Sequence, residues 1–114
     1  MEGKYMTEDF YCDEVLSGNT LVEKVMETEN VLAYHHTNPF WPTHIVAIPK
    51  IHIASLLSLE EKDNDLLIEL FFVIKQVAAM VKEEDGACRV LTNIGDYQDS
   101  KHLHWHIISG EKFR

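Results

Sequence analysis

The sequence predicts an α+β fold: an antiparallel sheet of about five strands, one long helix and a short N-terminal helix. Three observations carry this. Short β-branched or alternating runs recur between turn signals at 21–26, 31–35, 44–48, 88–92 and 102–108. One segment, from Ser58 to Asp85, instead repeats its apolar residues at helical spacing. The 114 residues suit one domain, 1–114, with room for a sheet and a helix layer but no second core.

The elements follow in order. Asp9 to Leu16 reads as a short helix closed by the turn residues Ser17-Gly18-Asn19. Leu21 to Met26 alternates, with Val22, Val25 and Met26 as apolar anchors, and predicts a strand. Val31 to His35 is a second strand after the Glu29-Asn30 turn. Thr37 to Pro42 is a loop, because neither Pro39 nor Pro42 suits a strand interior. His44 to Ile48 is a third strand, ended by Pro49-Lys50. Ser58 with Glu61 forms a capping-box pattern at the head of the long helix. Leu66, Leu70, Ile74, Val77 and Val81 mark its inner face, and Gly86 stops it. The run Leu70 to Ile74 is apolar in every direction, so part of it needs cover beyond the sheet, and a homodimer is expected. Cys88 to Thr92 and His102 to Ile108 complete the strands.

Composition excludes several classes. Apolar residues make up 46% and charged residues 25%, as in an ordinary folded domain. The formal net charge of −9 repels nucleic-acid backbone and anionic lipid, so neither a nucleic-acid polymer nor a membrane is an expected partner. Cys12 and Cys88 are far apart and suggest no disulfide framework; a reducing cytoplasm is the expected location. The N-terminus lacks the apolar run of a signal peptide, and no stretch approaches the ~20 apolar residues of a membrane span.

The informative anomaly is histidine. In His102-Leu103-His104-Trp105-His106-Ile107-Ile108, a strand would turn the three histidines to one face, ~6.7 Å apart, and Leu103, Trp105 and Ile107 to the other. The apolar face drives folding; the histidine face needs another explanation. It reads as a solvated strand surface, as a zinc-type metal site, or as a phosphoryl-transfer site in which the middle imidazole attacks phosphorus and its neighbours donate to phosphate oxygens. Strict alternation over three histidines argues against the first, and the last is favoured because imidazole near neutral pH can be a nucleophile, an acid or a donor.

At these seven positions the chain resembles the histidine triad family, whose signature is His-φ-His-φ-His-φ-φ with φ apolar. The likeness extends to Val31-Leu32-Ala33-Tyr34, to Pro42-Thr43-His44 running on to Pro49-Lys50-Ile51-His52-Ile53, and to Asn93, Gly95 and Gln98. It covers about residues 9 to 110 and is nearest to the Hint-like branch, whose members cleave nucleoside phosphoramidates. The resemblance implies a hydrolase or transferase that acts on the α-phosphate of a purine nucleotide conjugate through a covalent nucleotidyl-histidine. It makes His104 the nucleophile, His106 a phosphate-oxygen donor, His102 the support of His104, and His52 the fourth active-site histidine. Asn93, Gln98, Asp99, Ser100 and His36 would line the substrate. Phe10 and Val15 would form part of the wall on the base side. No cofactor is required.

Two departures bear on specificity. Asp99 stands where the family usually has Ser or Thr, and would repel phosphate unless it turns outward and Ser100 takes its place. His36 stands where an acidic residue often binds the ribose hydroxyls. In zinc-carrying members a histidine at the place of His44 and an N-terminal cysteine pair hold metal. Here Cys12 remains, but the first cysteine is replaced by Asp9, so a structural zinc on Cys12, His44 and His102 is the lesser reading. Asp96 and Asp99 are expected to raise the nearby histidine pKa values, and activity to fall in acid as His104 protonates. A non-catalytic nucleotide- or partner-binding module and a His-ligated metalloenzyme are the rival functions.

Overall fold

The structure is a computed structural model that describes residues 15, 16, 18 and 21–113. Its strands are β1 (Lys24–Glu27), β2 (Val31–His35), β3 (Thr43–Pro49), β4 (Arg89–Thr92) and β5 (Trp105–Ser109), and its helix is α1 (Asn64–Asp85). The strands form one antiparallel sheet in the order β1-β2-β3-β5-β4. The helix joins β3 to β4 across one face. The expected N-terminal helix, Asp9 to Leu16, falls almost wholly outside the described residues.

Two apolar layers result from the period-2 alternation of the strands. Toward the helix, Val31, Ala33, Ile45, Ala47, Leu103 and Ile107 pack on Leu70, Val73, Ile74, Val77 and Val81. On the opposite face, Leu32, Tyr34, Val46 and Ile48 form a second cluster with Val15. The register puts Val46 opposite His106 and His44 opposite Ile108. Both histidines therefore stand on the face away from α1.

Several boundaries differ from those the sequence predicts. The helix starts at Asn64, after short 3-10 turns at Leu56–Ser58 and Glu61–Asp63. The capping box is Glu60 with Asp63, not Ser58 with Glu61: the Glu60 amide donates to the Asp63 carboxylate at 2.9 Å. Ser55 caps the earlier turn, so the chain makes two short turns before the helix propagates. The predicted stop holds. Gly86 sits at φ +86° and its amide donates to the Lys82 carbonyl at 2.8 Å. That backbone region is easy only for glycine.

The last strand also begins later than expected, at Trp105. The segment before it is held from both sides, because the Leu103 amide donates to the Ile53 carbonyl and the Thr92 hydroxyl to the His104 carbonyl, both at 2.6 Å. Among the described residues, no helix is long and apolar enough to cross a membrane.

Candidate active site

The histidines form a continuous array along the sheet face away from α1. The His36 ring stacks on His44 at 4.3 Å between centroids; His44 lies 5.0 Å from His106, and His106 lies 5.0 Å from His104. His44, His102, His104 and His106 are all buried. β3 supplies His44, β5 supplies His106, and the segment entering β5 supplies His102 and His104.

Hydrogen bonds define the state of each ring, since a carbonyl only accepts and an amide N–H only donates. His104 Nδ1 is 2.7 Å from the His102 carbonyl, so Nδ1 carries the proton and the lone pair resides on Nε2. The Phe40 amide donates to His44 Nδ1 at 3.0 Å, which puts the His44 proton on Nε2. That Nε2–H donates to His106 Nδ1 at 2.8 Å, so the His106 proton also lies on Nε2. With Nδ1–H of His104 committed to a carbonyl, the lone pair of this ring in its neutral form lies on Nε2, beside a second imidazole with a donor Nε2–H. This is the pairing that in-line attack on a phosphate requires: a lone pair for phosphorus and a proton for its oxygen.

Electrostatics agree with the geometry. Burial, followed by the neighbouring His36 and His104, pushes the His44 pKa down to about 3. Burial, followed by His104, His44 and His36, does the same for His106, also to about 3. The expected rise from Asp96 and Asp99 is therefore wrong for these two rings. Both carboxylates are exposed, and desolvation dominates instead.

The other expected site residues divide. His102 is fully buried and supports His104 through its main-chain carbonyl, while its own ring Nε2–H donates to the Pro49 carbonyl at 2.8 Å. His52, expected as the fourth active-site histidine, is exposed, with its ring 5.4 Å from His102. The histidine hydrogen-bonded to the triad is His44, to which the resemblance gives only the lesser reading of a zinc ligand. The available signal was the alternation of His44, Val46 and Ile48, which puts His44 on the face shared with His106 once β3 pairs with β5. Gln98 is buried and donates to the Ala54 carbonyl at 2.5 Å, tying the loop before the triad to the segment after β3. Asp99 points into solvent, whereas Ser100 is buried, which is the exchange expected if Ser100 takes the inner position. Asn93 is half-buried at the end of β4. His36 is half-buried and accepts from the Asn38 amide on Nδ1 at 2.9 Å. Val15 belongs to the cluster that borders His106 through Val46; Phe10 lies outside the described residues.

A zinc on Cys12, His44 and His102 does not fit. The His102 ring is bound at Pro49, five residues along β3 from His44 and roughly 16 Å away in strand rise. Both ring nitrogens of His44 are already engaged. Among the described residues no group of three or more His, Cys, Asp or Glu side chains is arranged for a metal; Asp9 and Cys12 lie outside them.

Fold and site together define a class: α+β proteins with a five-stranded antiparallel sheet and a triad of histidines at one sheet face. The HIT domain matches this chain over residues 18–113, and the chain belongs to that family. A 14 kDa zinc-binding protein of Zea mays is 36% identical over 104 residues, covering 88% of this chain and 80% of the relative. The crystal structure of a HIT family hydrolase from Legionella pneumophila superposes with a TM-score of 0.79 at 28% identity, covering 90% of this chain and 93% of that one. A hypothetical histidine triad nucleotide-binding protein from Sulfolobus tokodaii gives a TM-score of 0.78 at 33% identity, covering 88% and 67%.

Proposed function

We propose that the protein is a nucleotide hydrolase or transferase that attacks the α-phosphorus of a purine nucleoside phosphoramidate, or a related nucleotide conjugate, through His104. One observation carries this reading: the His104 lone pair resides on Nε2 because Nδ1–H is committed to the His102 carbonyl. In the first step His104 Nε2 bonds to phosphorus and the phosphorus–nitrogen bond to the leaving amine breaks. The amine leaves with a proton taken from water. His106 Nε2–H donates to a non-bridging oxygen as charge develops there. In the second step water attacks the nucleotidyl-histidine, releases the nucleoside monophosphate and restores neutral His104.

Ser100 and Asn93 are proposed to line the phosphate, with Gln98 holding their loop, and His36 to face the sugar side. The nucleotide-binding neighbour and the hydrolase neighbour support this reading by their names. The maize relative is named for zinc; among the described residues no group of three or more His, Cys, Asp or Glu side chains is arranged for a metal, and no metal-dependent step is proposed. Cytoplasmic action is proposed as well, where Cys88 stays a thiol; burial, and then nearby Asp85, raise its pKa and keep it unreactive.

The test is intact-protein mass spectrometry after brief mixing with an adenosine phosphoramidate at mildly acidic pH, with amine release followed in parallel. Native protein should gain one AMP-sized mass, and His104→Ala should gain none while still binding AMP. Nucleotide binding without adduct or amine release from the native chain would leave a binding module instead.

A further inference from the structure

The donor face of His106 is set from outside the triad. In the array, His106 donates from Nε2 only because His44 donates to its Nδ1, and His44 donates from Nε2 only because the Phe40 amide occupies its Nδ1. Polarity in such a chain is all-or-none. If His44 carried its proton on Nδ1, its Nε2 lone pair would face His106 Nδ1. Relief would then move the His106 proton to Nδ1. The atom meant for the phosphate oxygen would become an acceptor and repel it. One peptide N–H two imidazoles away thus sets whether His106 offers a donor to a phosphate oxygen.

That peptide is itself held. The Phe40 carbonyl accepts from the Phe113 amide at 2.7 Å. Gly110 turns the chain at φ +88° so closely over Pro42 that a Cβ would lie 2.7 Å from Pro42 Cγ. Lys112 Nζ lies 5.5 Å from the centre of the Trp41 ring, which in turn stands edge-on to His44 at 5.2 Å. The segment 110–113 is therefore a strap over the loop that carries Phe40.

We infer that the main-chain amide of Phe40, anchored by the C-terminal strap through Phe113, is a positioning group that fixes the direction of the His44–His106 relay. The catalytic consequence rests on the function proposed above; the direction of the relay does not. Long-range proton–nitrogen NMR of the full chain, without substrate, reads the tautomers of His44 and His106. Native protein and Phe40→Leu, which keeps the amide, should show both rings protonated on Nε2. Phe40→Pro removes the donor, and a population of both rings protonated on Nδ1 should appear. Phe113→Pro should produce a smaller population of the same form, while Phe113→Leu should match the native protein. With the phosphoramidate, kcat of Phe40→Pro should fall on the order of 100-fold to 1000-fold, as for loss of one oxyanion donor, with KM moving less.

If both proline variants keep pure Nε2–H rings, or Phe40→Leu shifts them equally, the inference is overturned. Should Phe40→Pro fail to fold, the comparison of Phe113→Pro with Phe113→Leu decides it. A protein that turns over no phosphoramidate yet shows the tautomer shift would refute the proposed reaction and retain the relay.

Discussion

His44 and His106 owe their neutral state to burial among Phe40, Trp41 and one another, and that state carries a pH signature. In the folded protein their pKa values lie near 3; in the unfolded chain an imidazole titrates near ~6.5. The stabilisation is therefore complete above about pH 6.5 and is lost as pH falls toward 3, because only the unfolded chain takes up the protons. Each ring contributes up to ~1.4 kcal/mol per pH unit in that window. Urea unfolding between pH 7.5 and 5 should show this slope, and His44→Asn should lose about one proton's share of it. An equal slope in both proteins would mean that His44 is protonated in the fold. The same neutrality makes a kinetic prediction. His106 does not titrate above about pH 4, so it should add no proton of its own to the acid limb of kcat/KM above that pH. A limb of slope two would count against the assignment.

At the scale of the element, the inner face of α1 and one side-chain clamp hold the sheet in place. Leu70 is 1% exposed against β-strand residues of the helix-side layer. Leu70→Ala should cost about 2–5 kcal/mol in denaturant unfolding, with the site histidines unmoved because they stand on the other face. Glu69 clamps the hairpin between β1 and β2. Its carboxylate accepts from the Thr28 hydroxyl at 2.5 Å, the Asn30 amide at 2.8 Å and the Asn30 side chain at 3.0 Å. These bonds, the Thr28 contact first, lower its pKa. The clamp is thus present above the ordinary carboxylate range and is lost as pH falls below it. After discounting for solvent screening, Glu69→Gln should cost about 1 kcal/mol at neutral pH and progressively less as the pH falls below the carboxylate range.

At the scale of the whole molecule, the outer side of α1 remains apolar. Ile68, Phe71 and Phe72 are exposed, and so is Val90 on the edge strand β4. Phe71 reaches Trp105, ring to ring at 5.5 Å, and the Trp105 indole N–H is buried with no hydrogen-bond partner among the described residues. We propose that a second copy of the chain covers this face. Gel filtration should give the dimer mass for the native protein and the monomer mass for Phe72→Asp; a native monomer would remove the proposal. Metal chelation should leave both mass and activity unchanged, and a loss of either would reinstate a bound metal.

Periodicity along the chain was enough to identify the five strands, the long helix, its stop at Gly86, and the two faces of the histidine segment. These are local properties: alternation and 3.6-residue repeats report which side of an element meets apolar neighbours, whatever those neighbours are. The helix start was misread because Ser58 and Glu61 match a capping pattern that Glu60 and Asp63 fulfil in fact, and neighbouring turn residues compete for one nucleus. The exchange of His44 and His52 was beyond such reading. Both histidines lie near a proline, His44 within β3 and His52 just after it, and only the pairing of β3 with β5 sets His44 against His106 and leaves His52 beside His102. Tautomers were equally out of reach. Which ring nitrogen holds a proton depends on the Phe40 amide and the His102 carbonyl, donors and acceptors that meet the rings only after the loop and the strand entry have folded around them.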